Sequence, residues 1–142
     1  MQFTTFGKTG ITVSRLCLGC MTYGGGDLPD WALGTKGWHV DKKAAREHFR
    51  VAIDAGINFF DTADVYSAGA SEEITGAHLK EMASRDHIVV ATKLQGVMGP
   101  SPNQRGLSRK QTERSLRSLY SRLHPMRPGP CLPNSLQTAT AA

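Results

Sequence analysis

The chain has 142 residues, 39% of them hydrophobic and 20% charged, a composition typical of a globular protein rather than a disordered one. The net charge of +5 is uneven, because residues 1–104 sum to −1 and residues 105–142 sum to +6. A nucleic-acid or acidic-membrane interaction would therefore have to use the carboxyl-terminal segment. Apart from Tyr120, that segment has no aromatic residues alternating with its arginines, and it has no pattern of a recognition helix, so we expect no nucleic-acid partner.

The sequence has no membrane-targeting pattern. No run approaches the ~20 apolar residues of a membrane span. The first six residues lack the basic-then-apolar layout of a secretion signal. We therefore expect a cytoplasmic protein without a membrane partner.

Two of the three cysteines, Cys17 and Cys20, have C-x-x-C spacing, and the third is Cys131. The pair lies in an apparent strand, where an offset of three sends the two side chains to opposite faces. A zinc site would also need a second pair of ligands, which the sequence lacks. We therefore predict buried thiols and no metal site.

The amino-terminal third begins with strand signals. Residues 3–6 and 11–14 flank a glycine-containing turn and predict a β-hairpin. Residues 16–21 predict a parallel strand that is apolar enough to be buried on both faces. Gly24–Gly26 opens a long loop, but it lacks the spacing of a phosphate-binding loop. Trp31 and Trp38 in this loop could anchor it or line a substrate cleft.

The next part of the chain alternates helices and strands. Asp41 is a predicted N-cap for a helix over residues 42–55. A strand over residues 58–60 follows, and then a second helix that Ser71 would cap. Residues 87–92 predict the third strand, and Ser108 would cap a further helix. This order predicts right-handed, parallel βα units.

Ionisable residues follow two of these strands at the point where each ends. Asp61, Asp64 and Tyr66 come after the strand over residues 58–60, and Lys93 comes after the next strand. The carboxyl ends of parallel strands lie at one edge of the sheet, where α/β enzymes place their sites. We expect Asp61, Tyr66 and Lys93 to converge there, and we interpret Asp64 as a turn residue.

The motif Asp-Thr-Ala-x-x-Tyr over residues 61–66, followed by Ser-Glu-Glu at 71–73 and Ala-Thr-Lys at 91–93, closely resembles the aldo-keto reductases. The resemblance covers residues 1–119. It implies a (β/α)8 TIM barrel with a β-hairpin cap, and an Asp-Tyr-Lys-His tetrad that reduces aldehydes and ketones with NADP(H). The partner implied is a small carbonyl substrate.

The resemblance also assigns roles to individual residues. Tyr66 would be the general acid, Lys93 the ammonium beside it, and Asp61 the carboxylate that holds Lys93. A tyrosine of pKa ~10 is a reluctant acid, and a neighbouring ammonium favours its phenolate. Gly19, Met21 and Thr22, together with Asp61, are the residues that would contact the cofactor. For the first three, ordinary strand and turn packing is an equal alternative.

The histidine of the tetrad has no clear counterpart in this chain. The only histidine after Lys93 is His124, in a segment that superficially resembles the family's Leu-Tyr-Gln-x-His. That segment has one residue too many and leaves no turn between helix and strand, although a parallel strand needs a crossover. We therefore do not assign His124 to the site.

A complete barrel typically has ~250 residues. We therefore expect an α/β chain that forms the amino-terminal portion of the barrel, about three βα units over residues 1–119, followed by an irregular, Pro-rich, disordered tail over 120–142. A truncated or frameshifted reading frame would produce such a tail, and re-sequencing the gene would test that origin.

Two functional expectations follow from an incomplete barrel. TIM-barrel phosphate sites commonly lie after strands seven and eight, and the resemblance implies that the cofactor phosphate binds there. A chain with about three strands would lack that site, so we expect low or no activity from it alone. The alternative function is a non-catalytic fragment or association module. It would assemble with a complementary piece, a partner or itself through the unpaired edge of the third strand.

Overall fold

The computed structural model describes residues 1–32 and 38–123 of an α/β chain. The strands are β1 (Phe3–Thr5), β2 (Thr12–Ser14), β3 (Leu18–Gly19), β4 (Phe59–Asp61) and β5 (Val89–Ala91). The helices are α1 (Lys42–Asp54), α2 (Ala70–Met82) and α3 (Arg109–Leu123).

The first two strands form the predicted antiparallel hairpin, in which Phe3 pairs with Ser14. The hairpin is attached to the chain just before β4. The Ser14 backbone N–H donates to Asn58 Oδ1 at 2.7 Å, and Asn58 Nδ2 donates to the Thr12 carbonyl at 3.2 Å. The hairpin therefore lies beneath the amino end of the sheet, opposite the edge that carries the ionisable residues.

The other three strands form a parallel sheet with β4 in the centre, as the alternation of helices and strands predicted. The prediction for residues 16–21 is wrong in extent and in burial. Only Leu18–Gly19 is strand, and Leu16 and Met21 are 61% and 43% exposed. Within the described residues β3 is paired on one side only, so it lacks the flanking strand that would bury its other edge.

The core lies between the sheet and the helices α1 and α2. Phe49 of α1 is fully buried and its ring lies 6.0 Å from that of Phe60 in β4. Tyr23 and His78 complete the cluster, with ring centroids 5.0 and 5.3 Å from Phe49. Burying a phenylalanine contributes about 1.5–3 kcal/mol, so this cluster is the main attachment of α1 to the sheet.

The helix starts were predicted with mixed success. Asp41 caps α1 as expected, since its Oδ1 accepts the Ala44 N–H at 2.8 Å. Ser71 does not cap α2, because a 3₁₀ turn over Tyr66–Gly69 leads directly into the helix. Gly69, with φ +101°, occupies the N-cap position instead, and Ser71 is buried in the first turn.

Helix α3 begins as predicted, since Ser108 Oγ accepts the Gln111 N–H at 3.2 Å. It continues to Leu123, four residues past the predicted boundary at residue 119. Residues 120–123 are therefore helical rather than part of an irregular tail. Residues 124–142, with His124 and Cys131, lie outside the described residues, and so do residues 33–37.

Three smaller features concern the cysteines, metal ligation and membrane spans. Cys20 is buried as predicted, but Cys17 is exposed, so the prediction of buried thiols is wrong for Cys17. The two residues flank the short strand β3 and do not lie in it. Within residues 1–32 and 38–123, no group of His, Cys, Asp or Glu side chains could hold a metal ion. None of the three described helices combines the length and apolarity that crossing a bilayer requires.

Candidate active site

The site is built at the carboxyl edge of the sheet by the ends of β4 and β5. Asp61 is the last residue of β4 and pairs with Ala91 of β5. Beyond the strands the pairing continues, since the Thr62 N–H donates to the Ala91 carbonyl at 2.9 Å and the Asp64 N–H to the Lys93 carbonyl at 3.1 Å. The two segments therefore leave the sheet side by side.

The Lys93 ammonium is at the centre of the site. Its Nζ donates to Asp61 Oδ1 at 2.8 Å and Oδ2 at 2.7 Å, and to the Thr62 carbonyl at 2.9 Å. Partial burial lowers the pKa of Lys93, but the hydrogen bonds and charge of Asp61 outweigh it and leave that pKa raised. The lysine is therefore held as a cation.

Tyr66 reaches the same ammonium from the 3₁₀ turn above the strands. Its hydroxyl lies 3.4 Å from Lys93 Nζ, and Nζ lies 5.0 Å from the centroid of its ring. The tyrosine is half-buried, so its hydroxyl is accessible to a small molecule. Asp61, Tyr66 and Lys93 thus lie in contact at one edge. Their catalytic role stays a prediction.

The turn that carries Tyr66 has an unusual backbone. Ser67 and Ala68 have φ values of +48° and +54°, a left-handed conformation that costs about 1–3 kcal/mol for a residue with a side chain. Ser67 packs directly on Gly24, where an added methyl group would lie 2.1 Å from Ser67 Oγ. The absence of a side chain at Gly24 therefore allows the two loops to pack closely.

The residues predicted to contact a cofactor lie beside Asp61. Gly19 pairs with Asp61 across the sheet, and a methyl group built on Gly19 would meet no atom within 4 Å. Met21 is exposed, and the backbone of Thr22 is bonded to Val40, whose N–H donates to its carbonyl at 2.8 Å. These positions form an open surface beside the carboxylate of Asp61, and their contact with a cofactor stays a prediction.

Two residues that the sequence analysis did not place in the site, Ser71 and Glu72, lie beneath it in the first turn of α2. Ser71 Oγ donates to the Cys20 carbonyl at 2.6 Å and is 2.9 Å from Thr62 Oγ1. Glu72 Oε1 accepts from Thr92 Oγ1 at 2.7 Å. One helical turn therefore connects the ends of all three parallel strands.

The other oxygen of Glu72, Oε2, accepts from Arg122 Nε at 2.6 Å. The Glu72 side chain is completely inaccessible to solvent, and the Arg122 side chain is 13% exposed. This buried ion pair joins α3 to the first turn of α2. Arg122 was counted only in the basic charge of residues 105–142. In the structure it lies seven residues after the buried Ser115 on α3, and therefore on the same side of that helix.

Asp64 lies in a turn, as predicted, and its side chain is buried. It is 1% exposed, and neither carboxylate oxygen has a hydrogen-bond partner of good geometry among the described residues. Burial, together with the negative charge of Glu72, raises the pKa of Asp64 to about 6. The backbone of Val65, Arg122 and Ser115 oppose this shift without cancelling it.

The two tryptophans of the long loop have different environments. Trp38 is 52% exposed, whereas Trp31 is half-buried. Trp31 lines an open cavity of about 460 Å³ together with Gln95, Gly96, Val97, Arg105 and Gly106. Trp31 therefore lines a cleft, and binding of a substrate in that cleft stays a prediction.

The fold and the site together define an α/β protein whose polar residues meet at the carboxyl edge of a parallel sheet. The profile of the Aldo/keto reductase family matches residues 15–127, most of the chain. The chain belongs to the aldo/keto reductase family.

Relatives and solved structures agree with this assignment. A probable voltage-gated potassium channel subunit beta from Oryza sativa subsp. japonica is 38% identical over 124 residues, which cover 87% of this chain and 34% of the relative. The aldo-keto reductase YhdN from Bacillus subtilis (strain 168) is 40% identical over 94 residues, 66% of this chain and 25% of the relative.

Among solved structures, the holo form of aldo-keto reductase AKR11C1 from Bacillus halodurans superposes with a TM-score of 0.65 at 28% identity. The superposition covers 87% of this chain and 37% of that one. The chain thus spans between a quarter and two fifths of the length of these proteins.

Proposed function

We propose that Asp61, Tyr66 and Lys93 form the proton-donating part of an NADP(H)-dependent aldo-keto reductase site, which reduces small aldehydes or ketones to alcohols. The observation that carries the proposal is the position of the Lys93 ammonium. It is bonded to both oxygens of Asp61 and lies 3.4 Å from the hydroxyl of Tyr66.

In the proposed reaction the phenol of Tyr66 donates its proton to the carbonyl oxygen of the substrate. The negative charge that remains on the phenolate is stabilised by the adjacent Lys93 ammonium. Asp61 and the Thr62 carbonyl hold that ammonium in place through three hydrogen bonds. The cofactor, when bound, supplies the hydride to the carbonyl carbon.

The cofactor side of the proposal uses the open surface beside Asp61. Gly19 and Met21 are free to contact a flat ring, and Thr22 continues that surface at the end of β3. The parallel βα units of this chain are proposed to be the amino-terminal part of a (β/α)8 barrel. Because barrel phosphate sites commonly follow strands seven and eight, we expect the 142-residue chain alone to bind NADP(H) weakly and to turn over slowly or not at all.

The test is a chimera in which residues 1–108 replace the matching segment of Bacillus subtilis YhdN. We expect NADPH-dependent reduction of small aldehydes by the chimera. Tyr66→Phe should lower kcat by ~10²–10⁴-fold, the usual contribution of a general acid. Tyr23→Phe, which removes a buried hydroxyl on the helix side of the sheet, is the matched control and should leave kcat within about twofold.

Equal rates for the two variants would refute the assignment of Tyr66. The 142-residue chain is assayed in parallel, together with a fluorescence titration of NADPH. A rate comparable to that of the chimera would refute the expectation that this chain is slow on its own.

A second function is self-association through a sheet edge. The observation that favours it lies at the edge strand β3 and not at the third predicted strand, which is β5. Leu16 and Met21, which flank the edge strand β3, are 61% and 43% exposed. Exposed apolar residues beside an open strand edge promote association. Size-exclusion chromatography should then show concentration-dependent oligomers that Leu16→Lys weakens, whereas Val51→Lys on the exposed face of α1 does not. A clean monomer at all concentrations would exclude this function.

A further inference from the structure

Glu72 is the best-connected buried charge among the described residues, and the reaction proposed above does not use it. It is completely inaccessible to solvent, and each carboxylate oxygen has its own donor. Thr92 Oγ1 lies 2.7 Å from Oε1, and Arg122 Nε lies 2.6 Å from Oε2. A buried carboxylate is stable only when it is paired and hydrogen-bonded in this way.

The first of these contacts reaches the segment that carries Lys93. Thr92 is the residue before Lys93, immediately after β5. Side chains of successive residues in an extended segment point to opposite faces. Thr92 therefore faces the helices, where Glu72 holds it, while Lys93 faces Asp61. Fixing one side chain fixes the direction of the other.

The second contact reaches the turn that carries Tyr66. The side chain of Arg122 packs against Gly69, the last residue of that turn, where an added methyl group would lie 2.9 Å from Arg122 Cδ. The same guanidinium thus touches the Tyr66 turn and holds Glu72. The pair of Glu72 and Arg122 therefore supports both the segment that carries Lys93 and the turn that carries Tyr66.

We propose that Glu72, held by Arg122, is a positioning residue that sets the distance between Lys93 and its partners Asp61 and Tyr66. It acts through Thr92 on the strand side and through Gly69 on the turn side. This inference rests on the proposed function, because the position of Lys93 matters only if Lys93 takes part in the reaction. The contacts of Glu72 and the titration that tests them do not require the chain to be active. Asp64 is a second buried acid near Glu72, whose negative charge acts on it.

The experiment measures the titration of Lys93 by NMR in the full 142-residue chain labelled at lysine Cε. Thr92→Val removes the hydroxyl and keeps the branched shape, and we expect it to lower the pKa of Lys93 by roughly half a unit, a fraction of the ~1–3 units that an opposite charge produces. Thr92→Ser keeps the hydroxyl and should restore the wild-type titration. Thr75→Val removes a buried hydroxyl with no hydrogen bond to Glu72 and is the control.

A second variant, Glu72→Asp, keeps the charge but is one methylene too short to reach both donors, so it should shift Lys93 in the same direction. Thermal unfolding is recorded for every variant. Thr92→Val and Glu72→Asp could lower the melting temperature while Lys93 titrates as in the wild type. In that case the Glu72–Arg122 pair only attaches α3 to α2, and the proposal is overturned.

The outcomes also separate this inference from the proposed function. If the chimera reduces no aldehyde but the Lys93 titration still responds to Thr92→Val, the reductase proposal fails and the positioning role stands. If the chimera is active and the titration does not respond, the positioning role alone fails.

Discussion

Lys93 Nζ lies 2.8 and 2.7 Å from the two carboxylate oxygens of Asp61, a contact between residues 32 positions apart in the sequence. The contact exists because β4 and β5 are parallel neighbours whose ends leave the sheet together. It keeps a cation beside the hydroxyl of Tyr66. The properties expected of the site follow from this pair.

The ionisation of Lys93 should depend on Asp61. Burial lowers the pKa of Lys93, and only the hydrogen bonds and charge of Asp61, with a smaller effect of Tyr66, raise it above its usual value. Asp61→Asn should therefore lower the pKa of Lys93, measured by NMR titration of the labelled lysine. Asp54→Asn, on the exposed face of α1, is the control. An unchanged titration in Asp61→Asn would contradict the geometry of the site.

That ion pair should contribute little to stability, because both side chains remain partly exposed and exposed pairs contribute about 0–1 kcal/mol. The raised pKa of Lys93 fixes the sign of the effect. The contribution is present below the lysine pKa of the unfolded chain and is lost as pH rises through the higher folded value.

Asp64 should make the fold less stable as the pH rises from about 4 to about 6. Its pKa is raised from 3.8 to about 6, so between these values the folded chain binds more protons than the unfolded chain. At roughly 1.4 kcal/mol per pKa unit, ionised Asp64 costs about 3 kcal/mol at neutral pH.

The measurement is denaturant unfolding of Asp64→Asn and wild type at pH 4.5 and pH 7.5. In the wild type we expect the unfolding free energy to decrease from pH 4.5 to pH 7.5. Asp64→Asn should abolish most of this decrease, whereas Asp54→Asn should show the same decrease as the wild type. A wild-type chain whose unfolding free energy does not fall between them would contradict the burial of an ionised Asp64.

Gly24→Ala should destabilise the chain and displace the Tyr66 turn. The added methyl group would lie 2.1 Å from Ser67 Oγ, so one of the two loops must move. We expect a loss of about 1–3 kcal/mol, as for other overpacked sites. Gly19→Ala is the matched control, since a methyl group there meets nothing within 4 Å. Equal unfolding free energies for both variants would show that the two loops do not pack together.

Cys17 should react slowly with alkylating reagents even though it is exposed. Partial burial and the charge of Asp61 raise the pKa of Cys17 to about 11, against a smaller opposing effect of Lys93. The thiolate is the reactive form, so at pH 7.5 the rate with iodoacetamide should be well below that of glutathione. The assay uses Cys131→Ser to remove the third thiol. A rate equal to that of glutathione would contradict this environment.

The sequence predicted the parts of the structure that short-range patterns determine. The cap at Asp41, the cap at Ser108 and the parallel order of the last three strands follow from local signals and from the handedness of βα units. The meeting of Asp61 and Lys93 could be predicted because the ends of neighbouring parallel strands must lie together.

Contacts between distant segments could not be predicted in the same way. Ser71 was interpreted as a helix cap, yet its hydroxyl bonds the Cys20 carbonyl 51 positions away. Arg122 was counted with a basic tail, yet it pairs with Glu72 50 positions away. Burial of Asp64 depends on the same packing of α3 onto α2, which no local pattern of residues specifies.

The most direct test of the proton-donating site of Asp61, Tyr66 and Lys93 is the aldehyde-reduction rate of the chimera that contains residues 1–108. The rate is measured for Lys93→Met and compared with that for Lys80→Met. Lys80 lies on the exposed side of α2 and serves as the matched control. We predict that Lys93→Met lowers kcat by about 10²-fold or more, while Lys80→Met leaves it nearly unchanged. If Lys93→Met reduces aldehydes as fast as Lys80→Met, the ammonium beside Tyr66 has no part in proton donation and the account of this site is wrong.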